Sequence, residues 1–125
     1  MSATDQRNVL GEPIRSCSEE PLTGFYRDGC CNTGREDYGS HTVCVELTAA
    51  FLAFSQKQGN DLITPQPAYG FPGLKPGDRW CLCASRWVEA MDAGCAPRVA
   101  LQSTNLAALE ICKLDDLKRF AVDIN

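Results

Sequence analysis

Residues 60–77 carry Pro65, Pro67, Pro72 and Pro76 interleaved with Gly70, Gly73 and Gly77. Residues that lack a backbone donor, alternating with residues that turn freely, forbid a helix or strand over most of that stretch. A second irregular stretch, residues 24–39, holds Gly24, Gly29, Gly34 and Gly39 with little periodicity. A chain of 125 residues that commits this much length to turns has to build its core from short elements elsewhere. The length fits one domain with a radius of gyration of about 14 Å. Long loops without structure of their own are where sites concentrate.

The remaining segments have readable periods. Residues 42–47 alternate, with Val43, Val45 and Leu47 on one face and Thr42, Cys44 and Glu46 on the other, which predicts a half-buried strand. Thr48 is placed to cap a helix carrying Leu47, Phe51 and Phe54 on one face and stopping at Gly59. Residues 79–83 predict a second strand, with Trp80 and Leu82 opposite Arg79, Cys81 and Cys83. Ser85 is expected to cap a helix running to Ala93. Strands are expected over residues 97–102 and 111–114, a short helix over 105–110 and a last helix over 115–122. Residues 8–17, bent at Gly11 and Pro13, read as an edge strand, and residues 1–7 as a disordered tail. Tyr69, Phe71 and Leu74 are expected to hold the proline-rich loop against the domain. The expected fold is α+β: a compact single domain with a small mixed or mainly antiparallel sheet, about three short helices and long Gly/Pro-rich loops.

Twelve Lys and Arg against sixteen Asp and Glu give a net charge of −4 with the signs interspersed. No basic stripe offers a footprint for nucleic acid. No run is long and apolar enough to span a membrane, and the first residues lack a signal-peptide layout, so a cytoplasmic location without a membrane partner is expected. There, the default for the eight cysteines is the reduced thiol. Phosphate-loop, dinucleotide, zinc-protease and serine-hydrolase motifs are all missing from the sequence. With one histidine, a multi-histidine metal centre within one subunit is excluded.

Three chemistries remain open. Arg27, Asp28, Asp37, His41, Asp78 and Arg79 combine carboxylates, guanidinium groups and an imidazole suited to a small polar or anionic ligand, if the loop of residues 24–41 meets the segment 72–87. The competing reading is an ion-pair network that pins the loops. Cys30, Cys31, Cys44, Cys81 and Cys83 are the candidates for a metal or a reactive thiol. Zinc is the cofactor such a set suggests, but their spacings of zero and one differ from the separated pairs zinc sites favour, and Cys30 and Cys31 should point apart. A nucleophilic thiol needs a cation, an imidazole or a helix start beside it. Cys83 precedes a helix, whereas strand parity puts His41 on the Val43 side, away from Cys44. Cys95 and Cys112 read as core thiols, and Trp80 and Trp87 as core anchors. The leading expectation is a small ligand-binding domain, then a metalloprotein or thiol-dependent enzyme, then an interaction domain exposing Tyr69 and Phe71. Neither an oligomeric state nor a partner protein can be read from these residues.

The segments Thr23-Gly24-Phe25-Tyr26-Arg27-Asp28-Gly29-Cys30-Cys31, His41-Thr42-Val43-Cys44, Gly59-Asn60-Asp61-Leu62 and Phe71-Pro72-Gly73-Leu74 through Trp87 resemble the mostly bacterial family catalogued as domain of unknown function 2237. The resemblance runs from Asn8 to the final helix. It implies a bacterial setting and adds no reaction to what the residues themselves suggest.

Overall fold

β1 (His41–Glu46) forms the middle of a three-stranded sheet, with β2 (Arg79–Cys83) on one side and β3 (Arg98–Val99) on the other, all pairs antiparallel. The computed structural model describes residues 6–123. Among them, α1 (Ala49–Lys57), α2 (Ala84–Asp92) and α3 (Leu114–Arg119) are the α-helices, joined by 3-10 turns at Pro67–Tyr69, Leu101–Ser103 and Leu106–Glu110. The fold is α+β, as the periods predict.

The sheet separates two apolar layers. Val43 and Val45 of β1 and Trp80 and Leu82 of β2 join Leu47, Phe51, Trp87, Leu101 and Leu117 in the main core. On the other face Cys44 and Cys81 join Cys17, Cys31 and Ala100 in a smaller layer. β1 is therefore buried on both faces over Thr42 to Val45, which corrects the half-buried expectation. The alternation is present, but cysteine serves as the second hydrophobic face.

Local chemistry explains the elements that match and those that differ. Thr48 caps α1 by accepting from Phe51 N at 3.1 Å, as its position requires. α2 begins two residues earlier than a Ser85 cap implies, with Cys83 at the N-cap position. The expected edge strand over residues 8–17 is reduced to single bridges. Asn8 is the cause: its buried Oδ1 accepts from Leu10 N and Glu12 N, drawing the backbone into a turn, while its Nδ2 donates to Gln102 O. The strand over residues 97–102 stops at Val99, because Leu101 N and Gln102 N donate to the Asp123 carboxylate instead of to a neighbouring strand. Residues 111–114 form no strand, since Ile111 N and Cys112 N both return to Ala108 O. The helix expected over 105–110 is a 3-10 turn capped by Asn105, and the last helix ends at Arg119. Leu74 is buried and Phe71 packs on Trp80, but Tyr69 is 84 % exposed. Of the tail expected over residues 1–7, residues 1–5 lie outside the described part. Gln6 is tied down, donating to Thr33 O and accepting from Thr33 N and Asn105 Nδ2.

The reduced state expected for the cysteines is also corrected. Cys17 is bonded to Cys44, and Cys31 to Cys81. The pairs meet because β1 and β2 place Cys44 opposite Cys81, and two loops each bring one further cysteine over that face.

Candidate active site

The loop that precedes β1 folds back on itself so that one carboxylate serves one imidazole. Asp37, whose side chain is fully buried, accepts from His41 N at 2.9 Å, from Thr33 Oγ1 at 2.9 Å, and pairs with His41 Nδ1 at 2.6 Å. The turn that allows this puts Ser40 in the left-handed region at φ 49°. A non-glycine residue held there costs on the order of 1–2 kcal/mol, so the surrounding contacts must enforce it.

His41 also meets Cys83. The two are partners across β1 and β2, and the register slips between His41 and Val43. His41 stays with Trp80 and Leu62 of the Val43 core and away from Cys44, while the irregularity lets it meet Cys83, which strict alternation put on the opposite face, because a bulge resets which way a side chain points. The neighbouring Cys83 sulfur is the main influence raising the His41 pKa, to about 9; partial burial opposes the rise and Asp37 adds to it. With Nδ1 committed to Asp37, Nε2 is the ring nitrogen left to exchange a proton. Gly39 closes over the pair: a Cβ there would lie 2.9 Å from His41 Cε1 and 3.2 Å from Cys83 Sγ. Only glycine leaves the imidazole and the sulfur undisturbed.

His41 also lines a cleft of about 430 Å³ together with Phe25, Arg27, Asp61, Leu62, Phe71 and Trp80. Its size suits a small molecule. Arg27 is the second non-glycine residue in the left-handed region, at φ 54°. It is held there by Gly24, whose carbonyl accepts from Arg27 N at 3.0 Å and Arg27 Nη1 at 2.6 Å. The guanidinium lies 5.1 Å from the centre of the Trp80 ring, close enough for a cation–π contact that leaves its remaining donors free. The Phe25 ring stands 5.9 Å from the imidazole. Asp61 contributes a carboxylate that also accepts from Ile63 N and Thr64 N. Its pKa is lowered, first by the Thr64 hydroxyl and then by backbone donors.

The residues singled out in the sequence thus divide. Arg27 and His41 come to the cleft, Asp37 stands behind His41, and Cys83 beside it. Asp28 instead braces its own loop, accepting from Cys30 N and Asn32 Nδ2. Asp78 closes a turn by accepting from Lys75 N, and Arg79 approaches Glu46 at 3.9 Å across the strands. Cys31, Cys44 and Cys81 lie in the buried layer, where they are joined by Cys17, which sequence reasoning did not single out. Cys30 is a half-buried free thiol outside that layer. Trp87 is a core anchor, with Nε1 donating to Pro97 O, whereas Trp80 also walls the cleft. Phe25, Asp61 and Leu62 complete the wall, and all three sit in the idiosyncratic segments quoted above.

A family model described as an uncharacterized protein conserved in bacteria (DUF2237) matches residues 7–121. The chain belongs to this family. No curated protein matches it. Every residue of the DUF2237 cleft and of the Asp37, His41 and Cys83 array falls within the matched span. No helix among the described residues is long and apolar enough to cross a membrane.

The single histidine makes the array directly measurable, because its imidazole gives one titrating nuclear magnetic resonance signal. A midpoint near pH 9 is expected, moving toward the ordinary 6.5 in Cys83→Ser. The sign follows from linkage. A pKa raised on folding contributes stability that is fully present below pH 6.5 and is lost as pH rises through about 9. A midpoint at or below 6.5 in the unmodified protein contradicts the array.

Proposed function

We propose that this protein is a small cysteine-dependent enzyme acting on an acyl compound with an anionic group. The observation that carries the reading is the run from buried Asp37 through His41 to Cys83 beside a cleft furnished with Arg27. An imidazolium next to a thiol favours the thiolate, and a buried carboxylate fixes the ring orientation and supports its charge. Arg27 would hold the anionic group of the substrate, with Phe25, Phe71 and Trp80 enclosing its apolar part. The Cys83 thiolate attacks the carbonyl carbon, and the bond to the leaving oxygen or sulfur breaks as His41 gives that atom a proton. Water, losing a proton to His41, then attacks the thioester, releasing the acid and regenerating Cys83.

The bland alternative, a cleft that binds a small polar or anionic molecule without reacting, rests on the same Arg27 and aromatic walls. It leaves the Cys83 contact and the close approach of Gly39 to the imidazole and the sulfur without a purpose. No nucleic acid or membrane partner is proposed. The bacterial family supports a bacterial host. In a cytoplasmic setting the buried cysteines would be held as thiols, and in an oxidising one as the two disulfides.

Hydrolysis of small aryl esters or thioesters with and without a carboxylate tests the reading. The expected result is turnover that falls about 1,000-fold or more in Cys83→Ala. Arg27→Met should raise KM for the carboxylate-bearing substrate alone. Equal rates in the unmodified protein and in Cys83→Ala would sink the enzymatic reading, and binding measured without turnover would leave the alternative.

A further inference from the structure

We propose that the four buried cysteines, Cys17, Cys31, Cys44 and Cys81, form a single zinc site whenever the protein is reduced. In the oxidised chain they are two disulfides, but the pairs are not independent. The sulfurs of Cys17, Cys31 and Cys81, drawn from both bonds, all lie within 4.8 Å of one another, and the Cys44 sulfur is bonded to that of Cys17. The fourth sulfur, that of Cys44, falls outside this group, but its bond to Cys17 keeps it at the edge of the same volume. In a tetrahedral tetrathiolate site each sulfur sits about 2.3 Å from zinc and hence about 3.8 Å from the others. Opening both bonds and relaxing the sulfurs to that spacing is within the reach of side-chain rotation.

The frame is already rigid where a site needs it. Cys44 and Cys81 are cross-strand partners. Their amides are fixed by hydroxyls, Cys44 N donating to Thr104 Oγ1 at 3.1 Å and Cys81 N to Thr23 Oγ1 at 2.8 Å. Cys17 and Cys31 arrive from two loops, and Asn105 Nδ2 holds the second by donating to Cys31 O at 3.0 Å. The rest of the layer is Ala100 with Ile14 and Val122 packed against it. Soft thiolates in an apolar layer select zinc over hard cations. The sequence spacing that argued against zinc concerned Cys30 with Cys31 and Cys81 with Cys83. The true set takes one cysteine from each of four segments and is not bound by that rule.

The exchange balances. Each disulfide accepts two electrons and two protons from a dithiol reductant, whose own thiols become a disulfide. Zinc then displaces the four thiol protons as it binds. The proposal does not depend on the chemistry assigned to Cys83, which is not a ligand.

The experiment uses the full chain, reduced anaerobically with a phosphine and titrated with cobalt as a spectroscopic substitute for zinc. One equivalent is expected to give the absorption of tetrahedral thiolate cobalt, to be displaced by one equivalent of zinc, and to keep the far-ultraviolet circular dichroism of the oxidised protein. Cys17→Ser should weaken cobalt binding about 100-fold or more, and the double variant Cys30→Ser, Cys83→Ser should leave it unchanged. A reduced protein that binds no cobalt, or that stays unfolded with zinc present, overturns the proposal. So does binding that survives Cys17→Ser combined with Cys31→Ser, or that disappears in the Cys30, Cys83 double variant.

Discussion

Replacing His41 with alanine is expected to slow alkylation of Cys83 by iodoacetamide by about 100-fold at neutral pH, because a cysteine reacts through its negatively charged form and the substitution removes the cationic ring beside this sulfur. The other free thiols make the experiment selective. Burial first, then the charges of Asp28 and Glu19, push the Cys30 thiol up. Burial does the same at Cys95, and burial with the Asp116 charge carries Cys112 to about 11. All three hold less thiolate at pH 7 than an unperturbed cysteine would. Peptide mapping over a time course should therefore find Cys83 labelled first in the unmodified protein. In His41→Ala its rate should fall to that of Cys30 and Cys95, whose own rates do not move. Asp37→Asn should lie between, since it keeps the ring but loses the buried charge behind it. Cys30 reacting as fast as Cys83 in the unmodified protein, or a Cys83 rate indifferent to His41, would contradict the assignment.

Much of this arrangement could be read from residues, and the parts that could not have specific causes. Alternation over Val43 to Leu47 and over Arg79 to Cys83 located β1 and β2, and the glycines and prolines of residues 24–39 and 60–77 located the loops that build the cleft. Asp37, His41 and Cys83 were each visible as chemistry. What joined them was a register slip at His41, and a bulge leaves no mark in a period-two pattern. Cys17 escaped notice for a different reason. It lies between Ser16 and Ser18 in an irregular segment, and nothing local distinguishes a cysteine that pairs with β1 from one that merely packs. The even count of eight allowed disulfides, but connectivity is a property of the fold. The loss of the strands at residues 97–102 and 111–114 shows the same limit. Alternation was present, but the Asp123 carboxylate and the Ala108 carbonyl took the amides that a strand would have used.

Exchanging both Cys31 and Cys81 for alanine is expected to destabilise the oxidised protein by about 4 kcal/mol, lowering its melting temperature by about 10–20 °C. The size follows from loop closure. The bond spans 50 positions, and forbidding that many unfolded conformations is worth more than the 27-position span of Cys17 to Cys44, for which about 3.6 kcal/mol is expected. The two spans overlap, because Cys31 lies inside the first and Cys44 inside the second. Once either bond is made, the other closes a chain that is already restricted, so removing both should cost less than the two losses added together. Burial of both sulfurs adds a packing loss in the cysteine layer, since each alanine leaves a sulfur-sized gap against Ala100 and its neighbours. Against a total stability of about 5–15 kcal/mol for a domain of this kind, losing either bond is severe. Thermal unfolding of the oxidised variants, followed by circular dichroism, measures both effects. A change below about 1 kcal/mol on removing the longer bond would mean that the unfolded chain is already compact around these cysteines, leaving the cross-link little entropy to remove.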